Sequence, residues 1–197
     1  MTMSIRSVIK IRCAQIRSLD LSNGEGVGVS IFVQGCHFHC KNCFNPETWD
    51  FNGGKEWTEE VKEKFLELAN RPYIKRISIL GGEPLAEENL EDVLDLVNKF
   101  RLLFPQKSIW LYSGYSWSDI WCNDAALRDD YGLDYCEQVS INHIKRQQII
   151  TQCDVFIDGR YMDSQRDITL PYRGSKNQHI IDVKRSLQKG EMVLWDV

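Results

Sequence analysis

Four short runs rich in β-branched and aromatic residues recur along the chain: VGVSIFVQ (27–34), KRISIL (75–80), SIWLYS (108–113) and CDVFID (153–158). Helix-patterned stretches separate them. TEEVKEKFLELAN (58–70) has Thr58 placed as an N-cap and acids in its first turn. Leu90, Val93, Leu94, Val97 and Phe100 repeat with helical period before Pro105, and a further helix is expected from about Ser116. Strand alternating with helix returns the strands parallel, with helices on the sheet faces. A fifth run, HIIDV (179–183), extends the series. The pattern predicts an α/β fold with a mostly parallel sheet. The 197 residues fit one domain, 1–197, with an insertion around 121–148 where the sequence turns polar and less periodic.

Several function classes are disfavoured. Net charge is −4 and no Lys/Arg cluster stands out, which argues against nucleic acid. Residues 47–100 carry 13 acids against 7 bases, and residues 160–190 carry 7 bases against 3 acids. That imbalance points to protein partners. No apolar run is long enough for a membrane span, and MTMSIRSVIKIRC lacks a signal-peptide core. A cytoplasmic protein is expected, with its seven cysteines reduced.

Loops at the C-terminal ends of parallel strands are where such folds place their chemistry. Four unusual segments fall there: the loop after 27–34, Gly81–Pro84, Ser113-Gly114-Tyr115 and Asp158-Gly159. The first, QGCHFHCKNCFNPETW (34–49), sets Cys36, Cys40 and Cys43 in a C-x₃-C-x₂-C spacing. Zinc would need a fourth ligand, for which His37 or His39 is at hand. No second cysteine or histidine knuckle follows, and Cys13, Cys122, Cys136 and Cys153 are scattered. Thiolates also suit an iron–sulfur cluster. Three cysteines on a cubane leave one iron open to another ligand. In the second segment, Gly81-Gly82-Glu83-Pro84, glycines allow close backbone approach and the carboxylate suits an ammonium group. Taken alone, a glycine-rich turn before a helix explains it as well.

Together, in this order, the two segments resemble the cluster loop and GGEP motif of radical S-adenosylmethionine enzymes. The blocks SNGEGVGVSIFVQGCHFHCKNCFNPETWDFNGG, LGGEPL, IWLYSGY, DVFIDGRY and LPYRGSKNQHIIDV narrow the resemblance. They are similar to the activating proteins of anaerobic (class III) ribonucleoside-triphosphate reductases, over about Asn23 to Val183. The resemblance implies a [4Fe-4S] cluster on Cys36, Cys40 and Cys43, with S-adenosylmethionine chelating the open iron. It implies that Gly81, Gly82 and Glu83 hold the methionine amino group. It also implies the reaction: an electron from flavodoxin or a similar donor cleaves the sulfonium. The resulting 5′-deoxyadenosyl radical takes hydrogen from a glycine Cα of the reductase. No side-chain acid or base is required. A full (β/α)₈ barrel takes about 250 residues, so a partial, open (β/α) barrel is expected here.

The family often carries an aromatic residue before the third cysteine. Here it is Asn42, and Phe44 is expected to cover the adenine. Ser113 and Tyr115 suit either a cofactor contact or a turn. Asp158 ends its strand where the family contacts the cofactor. Arg173, Asn177 and Gln178 would dock the reductase or satisfy loop backbone. Cys122 and Cys136 read as ordinary small apolar residues. Two competing functions stay open: an activase of another glycyl-radical enzyme such as pyruvate formate-lyase, and a zinc-binding interaction module or small iron–sulfur electron carrier.

Overall fold

The computed structural model describes residues 11–121 and 133–196. Its strands are β1 (Arg12–Asp20), β2 (Gly28–Val33), β3 (Lys55–Glu56), β4 (Arg76–Gly81), β5 (Ser108–Tyr112), β6 (Val155–Asp158) and β7 (His179–Asp182). The helices are α1 (Glu59–Ala69), α2 (Leu90–Leu103), α3 (Trp117–Trp121), α4 (Leu133–Gln152) and α5 (Val183–Lys189). Among the described residues the strands form one seven-stranded sheet of order β3-β1-β2-β4-β5-β6-β7. The four central strands, β2, β4, β5 and β6, are parallel neighbours. The outer pairs, β1 with β2, β1 with β3 and β6 with β7, are antiparallel. The sheet is open, with β3 and β7 at its edges. Parallel pairing is therefore confined to the four βαβ-patterned runs, and the fifth run, HIIDV, joins antiparallel instead. No helix among the described residues is long and apolar enough to cross a membrane.

Strand alternation gives the sheet two different faces. Val29, Ile31, Val33, Ile77, Ile79, Ile109, Leu111 and Phe156 enter the main core with the helices. Phe65, Leu66 and Ala69 of α1 meet them there, as do Leu90, Val93, Leu96, Val97 and Phe100 of α2. The Thr58 hydroxyl accepts the Val61 amide at 3.3 Å, so the α1 cap is the one expected. The opposite face carries Ser30, Phe32, Arg76, Ser78, Trp110 and Tyr112, a mixed polar and aromatic surface.

That second face is built on a buried ion pair. Arg76 stands 3.3 Å from Asp20, and both side chains are shielded from water. Burial alone would raise the Asp20 pKa. The Ser30 hydroxyl (2.7 Å), the Asn23 amide side chain (2.6 Å) and the backbone amides of Asn23 and Ser22 outweigh it and hold the carboxyl well below the usual range.

Three elements carry no strong signal in the sequence. β1 alternates weakly and holds several charges. α5 is only 7 residues long. α4 occupies much of the polar 121–148 stretch and packs on α2, yet Ile141 and Ile144 on it are exposed.

Candidate active site

A cavity of about 520 Å³ opens at the C-terminal ends of the parallel strands. Cys36, Cys40 and Cys43 line it, with Phe44, Gly81, Gly82, Glu83, Ser113 and Gly114. The loops after β2, β4, β5 and β6 thus share one space, as their positions at strand ends required.

The cysteine loop is tied down from below. Gly35 N–H donates to the Thr48 carbonyl at 2.8 Å and Cys36 N–H to that of Trp49 at 3.1 Å. The chain then turns through His39 and Asn42, whose φ values are 45° and 56°, in the left-handed region that Asn tolerates best. His37 faces Glu88 at 2.9 Å and stacks on Phe51, while His39 stacks on Trp49. Neither histidine lines the cavity. The Asn42 side chain is exposed and donates to Asp163 Oδ2 at 2.9 Å. Phe44 is 56% exposed at the mouth, edge-on to Tyr161 at 5.0 Å.

Glu83 is fully buried at the cavity wall. Its carboxylate accepts from the Ser113 hydroxyl (2.7 Å), the Gly114 amide (2.7 Å) and the Leu85 amide (2.8 Å). Burial pushes the carboxyl up to about 7, against the pull of those donors and of Arg146. The two glycines let the loops meet. Glu83 N–H reaches the Gly35 carbonyl at 2.7 Å, and a Cβ on Gly82 would sit 2.5 Å from that same oxygen. Ser113 therefore acts on Glu83.

Tyr115 and Asp158 do not line this cavity. Tyr115 borders a smaller neighbouring pocket with Arg146, whose guanidinium lies 4.5 Å from its ring centre. Asp158 accepts the amides of Trp117 (2.8 Å) and His179 (2.9 Å) and faces His179 Nδ1 at 2.9 Å. That carboxylate caps the turns after β5 and before β7. Cys13 and Cys153 are buried elsewhere, and burial raises both thiols. Cys122 and the side chain of Cys136 lie outside the described residues. Lining residues that sequence reasoning did not single out include Arg17, Asn23, Phe32, Tyr112 and Tyr161. Phe32 and Tyr112 were reachable by strand parity, because each alternates with core residues. Arg17 was not, because β1 was not read as a strand, and Asn23 lies in the loop between β1 and β2.

The donor set fits an iron–sulfur cluster. Burial pushes the Cys36 thiol up to about 11 and raises Cys40, with the neighbouring Cys43 adding to the rise at Cys40. Bound metal cations reverse that preference and hold thiolates. Among the described residues no three His, Cys, Asp or Glu side chains converge tightly enough for a single ion. A cubane spaces its ligands apart, since each thiolate binds a different iron.

Residues 22–181 match the 4Fe-4S single cluster domain family. The chain is 33% identical to the anaerobic ribonucleoside-triphosphate reductase-activating protein of Vibrio cholerae, over 84% of this chain and 94% of that one. The chain belongs to this family of activating proteins. Its likeness to the protein of the same name from Escherichia coli K12 is 30% over 83% of this chain and 94% of that one. With that of Enterobacteria phage T4 it is 30% over 84% and 90%. The matched span, residues 22–181, contains the loops that line the cavity.

Proposed function

We propose that this protein is the activase of an anaerobic ribonucleoside-triphosphate reductase, and that Cys36, Cys40 and Cys43 hold its [4Fe-4S] cluster. The observation that carries the reading is the opening of those thiols and the buried Glu83 carboxylate onto one cavity. When bound there, cluster and S-adenosylmethionine supply a one-electron cleavage of the sulfonium and the radical that takes hydrogen from a substrate glycine.

The chain's own task is placement. Glu83, braced by Ser113 and Gly114, receives the cofactor ammonium. Gly81 and Gly82 bring the β4 loop under the cysteine loop. Phe44, at the cavity mouth, flanks the adenine. The exposed Asn42 braces the loop against Asp163 rather than touching the cofactor. Tyr115 acts one layer further out, by steadying Arg146. Asp158 shapes the β6 loop from beneath. We read the open sheet as the wall of a partial (β/α) barrel within a single domain, its open side left for a protein substrate. A flavodoxin-type donor and a cytoplasmic setting complete the reading, and nucleic acid and membrane have no part in it.

Purified without oxygen and reconstituted, the protein should be brown and hold about four irons per chain. With dithionite, S-adenosylmethionine and the reductase it should give a glycyl radical by electron paramagnetic resonance. A colourless, zinc-loaded protein, or a radical raised only on pyruvate formate-lyase, would overturn the reading.

A further inference from the structure

The block LPYRGSKNQ (170–178) contains three polar side chains whose tasks differ in the fold. Gln178 Oε1 accepts the amides of Gly174 (3.0 Å) and Ser175 (3.2 Å), and its Nε2 donates to the Gly159 carbonyl at 2.9 Å. Asn177 Nδ2 donates to the Arg160 carbonyl at 2.8 Å. Both stitch the backbone of the segment between β6 and β7. Arg173 does neither. It lines the cavity, half-buried, and makes no hydrogen bond or ion pair among the described residues. Its Nε is closed off from solvent without a partner. A guanidinium offers five N–H donors and no acceptor, and leaving a buried donor unmet is unfavourable.

Tyr112, on the second face of the sheet, lines the same cavity, and its hydroxyl is also buried without a partner. The cofactor reading uses neither residue. It rests on groups in the loops that follow β2, β4 and β5. Arg173 sits instead on the segment that follows β6, among residues that border the open side: Ile168 is 80% exposed there and Phe44 56%. A protein substrate arrives from that side. The reacting glycine has no side chain to grip, so a segment around it offers its peptide carbonyls. Unmet donors are the complement of such a segment.

We propose that Arg173, with Tyr112, holds main-chain carbonyls of the glycine-bearing segment and so positions the glycine Cα. This rests on the activase reading above. Both are positioning residues, acting on substrate main chain beside the reacting atom.

The test uses reconstituted holoprotein as wild type, Arg173→Ala, Arg173→Lys and Tyr112→Phe, with the anaerobic reductase as probe. Iron content, S-adenosylmethionine affinity and cofactor cleavage by dithionite without reductase should stay at wild-type values. The KM for reductase should rise about tenfold to a hundredfold in Arg173→Ala, the range of a charge-assisted hydrogen bond, and less in Tyr112→Phe. Added guanidinium ion should restore part of the loss in Arg173→Ala, which a role in loop structure would not allow. An S-adenosylmethionine affinity that falls as far as reductase affinity would assign Arg173 to the cofactor and overturn the proposal. If Arg173→Ala loses its cluster, the other two variants carry the test, and an unchanged KM in both overturns it. Failure of wild type to activate any reductase defeats the activase reading itself, a result distinct from equal activation by wild type and variants.

Discussion

At the scale of single residues, the cysteines divide by environment. Cys36, Cys40 and Cys43 border the cavity, whereas Cys13 and Cys153 are packed in the interior. Replacing any one of the first three with Ala should abolish cluster assembly, read as iron per chain. Cys13→Ala and Cys153→Ala should keep their iron and lose only stability. Glu83 permits a sharper prediction. Its carboxyl, raised to about 7 by burial, is half protonated near neutral pH in the empty site, while a ligand ammonium needs the carboxylate. S-adenosylmethionine affinity should therefore climb as pH rises through about 7. Titration calorimetry on Glu83→Gln should show affinity lower by roughly tenfold, since a charged partner adds about 1–2 kcal/mol over a neutral one. It should also show the acid limb gone and the cluster intact. A wild-type affinity flat across this range would place the ammonium elsewhere.

At the scale of elements, the cavity depends on how closely two strand-end loops approach. Gly82 N–H donates to the Val33 carbonyl at 2.8 Å, and the missing Cβ leaves room for the Gly35 carbonyl. Gly82→Ala should push the cysteine loop away and strain the Glu83 to Gly35 hydrogen bond. Because the contact is backbone against Cβ, no side chain can swing aside to relieve it. The variant should melt several degrees lower, about 1–3 kcal/mol less stable. It should also take up less iron on reconstitution. Full iron uptake with an unchanged melting midpoint would show that the loops have slack.

Across the whole molecule, the Asp20–Arg76 pair links β1 to the centre of the sheet. The folded-state Asp20 carboxyl ionises more readily than its unfolded value of about 3.9. Its contribution is therefore fully present above that value and is lost as pH falls below it. Thermal midpoints should fall steeply below about pH 4. Asp20→Asn should flatten that acid limb while lowering stability near neutrality by about 3–5 kcal/mol, because Arg76 is left buried and uncompensated. An acid limb unchanged in the variant would assign it to other carboxylates. The basic stretch 160–190 also looks different at this scale. β7 runs antiparallel to β6, so His179 lies beside Asp158 and Asp182 beside Val155, at opposite ends of the sheet. Arg160 and Arg173 line the cavity. Lys184 pairs with Asp154 at 2.5 Å and Arg185 with Asp196 at 3.0 Å, at the far end. These charges do not form one docking face.

By itself the sequence determined the central parallel strands, α1 and α2, the three-cysteine loop, the glycine-rich loop and the family. Each is written locally: in strand or helix period, in residue spacing, or in glycines where backbone must approach backbone. β1 and α4 were not legible, because their own patterns are weak: β1 holds several charges although its partner β2 is the next strand, and α4 packs on the distant α2. Only the tertiary structure decided that Ser113 braces Glu83 and that Asp158 turns away from the cavity to cap two turns. The same is true of Arg173, whose guanidinium stays without an acceptor while the side-chain amides of its neighbours Asn177 and Gln178 donate to backbone carbonyls. Which neighbour meets a polar side chain depends on how distant segments pack, and buried polar groups are resolved pair by pair. A motif can name the residues at a strand end. Packing selects which of them face the ligand.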